Sequence, residues 1–302
     1  MAAQIEQLWW LFVAVSVVVY LAVIAFLIYA LIRRKQLRNA AGLAESDHKS
    51  KLVIATATGL TVVVLITLAL SDFMVGRVLA RTPQDTLRVK ITGHQWWWEI
   101  EYEDAISSQR IHTANEMHIP IGRPVEVELQ SQDVIHSFWI PNLQGKRDML
   151  PGRKTHTVIV ADRPGSFEGQ CAEFCGYQHA KMKLVVHAET PDRFEQWRSQ
   201  QLAASRSPQT PEQRRGQAVF MSSTCIMCHA IQGTDAGGNV APDLTHVASR
   251  SRIAAGALSN TPANLASWIL NPQAVKPGTQ MPATSLAGED LSALATYLAS
   301  LQ

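Results

Sequence analysis

The chain carries almost no excess of charge and very little cysteine. Its 302 residues include 27 Lys or Arg against 25 Asp or Glu, a net charge of +2, which argues against a nucleic-acid surface. Cysteine occurs four times, at 171, 175, 225 and 228. Each pair sits inside a metal- or cofactor-like motif, so none is left over as a structural staple. The start, Met-Ala-Ala-Gln-Ile-Glu, lacks the basic residues of a signal peptide, and the apolar run behind it is too long for one; a cleaved leader is the alternative. From residue 211 onward five acidic residues face five basic ones, so that part has no strong long-range steering field.

What the chain does have begins with that apolar run. Residues 8–32 are 25 positions without a charge, and about 20 residues span a bilayer. Trp9 and Trp10 stand at one end, where aromatic rings favour the headgroup level. A second run, Leu52–Leu70, is bounded by Lys49 and Lys51 before and Asp72 after. The intervening loop holds Arg33, Arg34, Lys35, Arg38, Lys49 and Lys51 against Glu45 and Asp47. Basic loops stay cytoplasmic, so both ends of the hairpin, and all that follows Asp72, belong outside, in the periplasm or its equivalent. The hairpin is expected over residues 1–79, with helices at about 8–32 and 52–72.

The remaining length has room for two domains. Alternation in Leu87–Thr92, Val125–Leu129, Thr155–Val160 and Lys183–Ala188, with turn signals at Pro151-Gly152 and Arg163-Pro164-Gly165, predicts an antiparallel β-sandwich or barrel over 80–204. The stretch Phe194–Ala204 reads as a short helix. Residues 205–210 form a polar, proline-bearing linker. Beyond it Thr210 fits an N-cap and Pro211 the first turn of a helix. Helices at 264–270 and 289–301 complete a small α domain over 211–302.

Cys171-Ala-Glu-Phe-Cys175-Gly-Tyr-Gln-His179-Ala-Lys-Met182 sets two thiols, an imidazole and a thioether within twelve residues. A disulfide or a zinc site would use the cysteine spacing. Soft thiolate and thioether donors with imidazole equally suit copper, and two thiolates can bridge two copper ions. Each ion then wants a terminal nitrogen: His179 supplies one, and His136, at the end of a β-like run, is the candidate for the other. Met182 and the Glu173 carbonyl would fill the remaining positions. Nearby, His94-Gln95-Trp96-Trp97-Trp98 places Trp96 and Trp98 on one face of a strand and Trp97 on the other. These rings are core, or one of them is where electrons enter.

Cys225-Ile-Met-Cys228-His229 is the pattern of covalent haem attachment, with two thiols for the vinyl groups and His229 for the iron. Met281, in a loop stiffened by Pro277 and Pro282, is the expected sixth ligand, whereas Met221 and Met227 lie too near the attachment site. A carbonyl from Pro242-Asp-Leu-Thr245 is expected on the His229 N–H.

These motifs together resemble subunit II of haem–copper cytochrome c oxidases, of the kind with a fused C-terminal cytochrome c domain, over nearly the whole chain. The resemblance implies a multidomain membrane protein: a two-helix transmembrane hairpin, an all-β cupredoxin-like sandwich bearing a binuclear copper centre, CuA, and an all-α c-type cytochrome domain. It implies CuA ligands His136, Cys171, Glu173 (carbonyl), Cys175, His179 and Met182, and haem c held by Cys225, Cys228, His229 and Met281. It further implies a magnesium ion shared with subunit I through the Glu173 side chain, Trp96 as the ring where electrons enter, and Asp133 near the site of cytochrome docking. Partners would be subunits I and III, a soluble or membrane-bound cytochrome c, and the lipid of a bacterial inner membrane. Electrons would pass to oxygen in subunit I, coupled to proton translocation. A nitric oxide reductase-like enzyme would use the same centres, and a tethered copper-binding protein is the third reading. One departure stands out: His48-Lys-Ser-Lys-Leu-Val-Ile lacks the glutamate that the family often places at the start of the second helix to feed a proton channel.

Overall fold

The computed structural model describes residues 2–37, 47–79, 86–286 and 288–302. Residues 38–46, which include Arg38 and Glu45 of the basic loop, and the expected start of the β domain at residue 80 lie outside the described residues. The chain divides into two units, Met1–Arg81 and Thr82–Gln302.

The first unit is a pair of contacting helices, α1 (Ala2–Leu37) and α2 (Asp47–Leu79). Both extend well past the apolar runs that nucleate them. Within them, Gln4–Arg34 and Ser50–Val78 are long and apolar enough to cross a membrane. At 31 residues the first is about 46 Å long, more than the roughly 30 Å of a bilayer's hydrocarbon. Large apolar side chains such as Val18, Phe26, Leu31, Leu52 and Leu65 are exposed around the helices, an arrangement that water penalises and lipid does not. Four hydroxyls of α2 are satisfied within the helix: Thr56, Thr61, Thr67 and Ser71 each donate to the carbonyl four residues earlier, at 2.8–2.9 Å. No hydroxyl of that set needs water.

The second unit opens with β-structure: β1 (Leu87–His94), β2 (Trp97–Tyr102), β3 (Ile111–Ala114), β4 (Glu116–Pro120), β5 (Val125–Ser131), β6 (His136–Ile140), β7 (Gln144–Met149), β8 (Thr155–Ile159), β9 (Gly165–Gln170) and β10 (Lys183–Glu189). A five-stranded sheet runs β3-β2-β1-β5-β8 and a three-stranded one β4-β10-β9, with β6-β7 as a separate hairpin. Val125, Val127 and Leu129 of β5 and Trp98, Ile100 and Tyr102 of β2 alternate inward into one core with Ile91, Met117 and Phe138. Each such side chain contributes about 1.5–3 kcal/mol on burial. The expected antiparallel pattern holds for most pairs, but β1–β5 and β4–β10 are parallel. The chain leaves the first sheet for β4 in the second and then returns as β5, so β1 and β5 are not hairpin neighbours and nothing forces them to oppose. The helix α3 (Pro191–Gln201) closes the sandwich, with Phe194 buried against its core.

The helical part contains α4 (Pro211–Ser222), a short ladder of β11 (Arg252–Ile253) and β12 (Leu258–Ser259), α5 (Pro262–Leu270), α6 (Pro272–Val275) and α7 (Gly288–Leu298). Thr210 caps α4 as expected, its hydroxyl accepting the Gln213 N–H while the Gln213 side chain accepts the Thr210 N–H. Helices α4 and α7 cross at Gly216, where a Cβ would sit 2.0 Å from the Ala293 carbonyl oxygen.

The two parts of this unit are latched at Glu116. Its buried carboxylate accepts the Ser251 N–H (2.9 Å), the Ser251 hydroxyl (2.6 Å) and the Arg252 N–H (3.0 Å), with His187 Nε2 at 3.6 Å. Burial pushes its pKa up, but His187 and the Ser251 and Arg252 donors outweigh that and hold it at about 2, against an ordinary 4.5. A depressed carboxyl contributes stability above the unfolded pKa and loses it as pH falls toward the folded one.

Two outcomes follow. Acid titration of the full chain, followed by thermal unfolding, should lose about 3 kcal/mol between pH 4.5 and 2 through this group, and Glu116→Gln should remove that part of the slope. Gly216→Ala should destabilise the α4–α7 crossing by about 2 kcal/mol or more, read as a lower unfolding midpoint; an unchanged midpoint would show that the helices separate freely.

Candidate metal centre and haem site

The loop 171–182 is closed on itself by the Cys171 N–H donating to the Met182 carbonyl (3.1 Å). It is tied to β6 by the Ala172 N–H donating to the Ser137 carbonyl (3.0 Å). That second bond brings His136, the first residue of β6, beside Cys171 although 35 positions separate them in the chain. Cys171 and Cys175 are free thiols, and their sulfurs lie with an imidazole nitrogen of His136 inside one cluster no more than 4.8 Å across. Around Cys171 Sγ stand His136 Nδ1 at 3.8 Å and the Glu173 carbonyl at 3.2 Å. Around Cys175 Sγ stand His179 Nδ1 at 3.5 Å and Met182 Sδ at 3.9 Å. All six residues expected from the sequence are therefore gathered, each sulfur with its own imidazole and one weak donor. A structural zinc takes four ligands; two thiol sulfurs, each flanked by an imidazole and by one weak donor (a carbonyl on Cys171, a thioether on Cys175), make six and fit a pair of ions of the copper type.

The electrostatics agree with a site built for cations. A hydrogen bond from Cys175 holds the Cys171 thiol far below its usual range, against the opposing effect of burial, with His136 and backbone donors adding to it. The same shared proton and burial push Cys175 up. Two buried thiolates repel each other, and positive charge between them removes the conflict.

Asp133 is engaged here in a way its sequence neighbours do not announce. One carboxylate oxygen lies 2.8 Å from His136 Nε2 and also accepts the Val134 N–H; the other accepts the Gln95 N–H at 2.6 Å. His136 Nε2 is thereby the protonated nitrogen and Nδ1 is left facing the sulfurs, the carboxylate–histidine arrangement that orients metal ligands. The three-residue spacing from Asp133 to His136 was the only signal for it. Gln95 Nε2 and Trp96 Nε1 both donate to the Cys175 carbonyl, at 2.7 and 2.9 Å; Trp96 was expected near the copper site, but neither Gln95 nor this carbonyl was. Trp96 occupies the turn before β2 and not the strand itself. It is nonetheless buried with Trp98 on the inner side, while Trp97 stacks on His94 at 4.3 Å. Glu173 is half-buried.

In the helical part Cys225 lies in a short 3-10 turn, Thr224–Met227, and Cys228 and His229 follow it. His229 Nδ1 lies 2.7 Å from the Pro242 carbonyl, the contact expected from the sequence. A carbonyl only accepts, so Nδ1 carries the proton and Nε2 is free for a metal. Met227 is 71% exposed, whereas Met281 and Cys225 pack against the same apolar cluster. The Met281 loop is stapled by Gln273, whose amide nitrogen donates to the Thr279 (2.7 Å) and Met281 (3.3 Å) carbonyls and whose oxygen accepts the Gly278 N–H. No local pattern singled out Gln273.

A family profile described as cytochrome c oxidase subunit II, periplasmic domain, matches residues 87–189, and one described as cytochrome c matches residues 213–302. Cytochrome c oxidase subunit 2 of Alkalihalophilus pseudofirmus is 36% identical over 295 residues, which cover 95% of this chain and 83% of that one. The chain belongs to the cytochrome c oxidase subunit II family. The subunit of the same name from Bacillus sp. strain PS3 is 34% identical, over 85% of this chain and 76% of its own. Among solved structures, the periplasmic domain of subunit II of cytochrome oxidase of Bradyrhizobium japonicum is 30% identical over 40% of this chain and 96% of its own, with a TM-score of 0.38. Membership makes this chain a membrane-anchored component of an oxidase, with copper in its β part and haem c in its helical part.

If Asp133 orients His136, Asp133→Asn should lower copper affinity about 10- to 100-fold in a chelator-competition titration while leaving the fold, followed by circular dichroism, intact. Unchanged affinity would remove Asp133 from the site.

Proposed function

We propose that this chain is the electron-accepting subunit of a terminal oxidase, receiving electrons from a cytochrome c and passing them to the oxygen-reducing subunit I. Bound in the two sites, haem c and the copper pair supply one-electron transfer in that order, donor to haem to copper to subunit I, with oxygen reduction coupled to proton translocation. The observation that carries the reading is the gathering of two thiol sulfurs with four flanking donors at one buried point, in a chain of this family whose helical part holds the haem-attachment motif.

The residues have separable tasks. His136, Cys171, the Glu173 carbonyl, Cys175, His179 and Met182 hold the copper pair. The two cysteine sulfurs would share charge with the bound ions, and the stiff sandwich keeps the ligand side chains in place, so little would have to move on a change of charge. Cys225 and Cys228 would anchor the haem covalently, and His229 and Met281 would ligate its iron. The buried Trp96, hydrogen-bonded to the Cys175 carbonyl, is the ring through which electrons reach the copper loop. The docking role implied for Asp133 and a magnesium ion on the Glu173 side chain shared with subunit I belong to the same proposal. So do association with subunit III and a soluble or membrane-bound cytochrome c as donor.

The basic hairpin loop supports a multi-pass topology in a bacterial inner membrane, with both soluble domains outside. The proposed divisions are 1–79, 80–204, 205–210 and 211–302.

Expression of the full chain with copper and haem maturation, followed by metal analysis and EPR, tests the assignment. Two coppers and one haem iron per chain, with one electron spin shared by both coppers, is the expected result. Cys171→Ser should abolish the shared signal and leave the haem spectrum unchanged. One copper, or zinc, in folded wild-type protein would overturn the binuclear reading.

A further inference from the structure

The loop that carries Met281 does not stand apart from the copper site. The Lys276 ammonium donates to the Trp96 carbonyl at 2.6 Å and to the Ala254 carbonyl at 3.2 Å, and the side chain is only 2% exposed. Burying an ammonium is costly unless its protons find acceptors, so these two carbonyls are what make that position tenable. Either side of it, Lys181 Nζ donates to the Val275 carbonyl (2.7 Å) and Gln178 Nε2 to the Pro277 carbonyl (2.8 Å). Both donors lie in the copper loop. Gly278 packs against the Trp96 ring. A Cβ there would be 3.4 Å from Trp96 Cη2, and its backbone φ of +87° is one that side chains other than glycine's resist. Trp96 is left 5% exposed. The Glu116 latch and the Lys183 N–H, which donates to the Ala255 carbonyl at 3.0 Å, hold the same two parts together further along.

We propose that residues 275–278 are a docking key, with Lys276 as its positioning residue, by which the helical domain occupies the Trp96 face of the β domain. Trp96 is then an internal relay reached from the haem side and closed to a soluble donor. An external cytochrome then delivers its electron to the fused domain, on a surface away from this loop, so that any docking contact at Asp133, which lies beside Gln95 and Trp96, is made by the fused domain and not by the soluble donor. The inference rests on the assignment of haem and copper to their two sites, but it concerns how this chain's own residues shield Trp96.

Hydroxyl-radical footprinting with mass spectrometry of the full chain in detergent reads that shielding without reference to turnover. Trp96 should be protected in the wild type. Lys276→Glu, which sets a carboxylate against two carbonyls, should raise its labelling at least severalfold, and Lys276→Arg should restore much of the protection. In rapid mixing with a reduced soluble cytochrome c as probe, the wild type should reduce haem first and copper only after it. In Lys276→Glu the haem-to-copper phase should slow at least tenfold, with the haem and copper spectra unchanged. Wild-type Trp96 labelled as readily as an exposed tryptophan, or copper reduced ahead of haem in the wild type, would overturn the proposal, and either is read without any variant. Missing copper or haem signals would instead defeat the underlying assignment, while the footprint would still report whether the key closes.

Discussion

Two thiol groups are held together at one buried point, and most of what surrounds them follows from that. Sulfurs this close cannot both ionise without a cation between them. The frame must therefore force the approach and supply the donors that make cations welcome. The 171–182 loop does the first by closing on itself through the Cys171 N–H and the Met182 carbonyl and by pairing with β6 at Ser137. His136, Glu173, His179 and Met182 do the second. The sandwich core of Trp98, Phe138, Ile91 and Leu129 makes the arrangement stiff. A stiff site changes little when its charge changes, which is what an electron carrier requires.

The haem-binding part is built on a different economy. On the proposed assignment Cys225, Cys228 and His229 would hold the haem from within five residues, and the Met281 ligand would depend on a loop that the Gln273 side chain holds in shape. The neighbouring residues of that loop make the contacts to Trp96 and the copper loop. Support for Met281 and attachment of the helical part to the sandwich thus run through the same short segment. Its buried polar contacts are directional, so they fix one relative placement where a purely apolar contact would allow sliding. The Glu116 latch adds a second fixed point away from the copper site.

Much of this was legible in residue order. The two charge-free runs, the Thr210 cap, the alternating strands at 87–92, 125–129, 155–160 and 183–188, the 171–182 motif and the haem pattern are local signals, each set by a few neighbouring residues and by periodicities of 2 and 3.6. Strands β3, β4, β7 and β9 were not foreseen. They are short, and several carry polar or glycine residues where alternation would have to show, as in Gln144–Met149. The turn position of Trp96 was missed because an aromatic triplet reads as strand whether or not a ladder includes its first member.

The sequence by itself determined the membrane spans, the chemistry of the donor residues and the pieces of each site, because those depend on side-chain type and on spacing within a dozen residues. Only the tertiary structure decided which pieces meet. His136 reaches Cys171 across 35 residues, Trp96 reaches the Cys175 carbonyl across 79, Glu116 reaches Ser251 across 135 and Lys276 reaches Trp96 across 180. Contacts at such separations are fixed by sheet order and by the packing of whole elements, and no local pattern encodes them. A lysine and a glycine in a polar loop read alike whether they face water or a buried indole; the fold places Lys276 and Gly278 against Trp96.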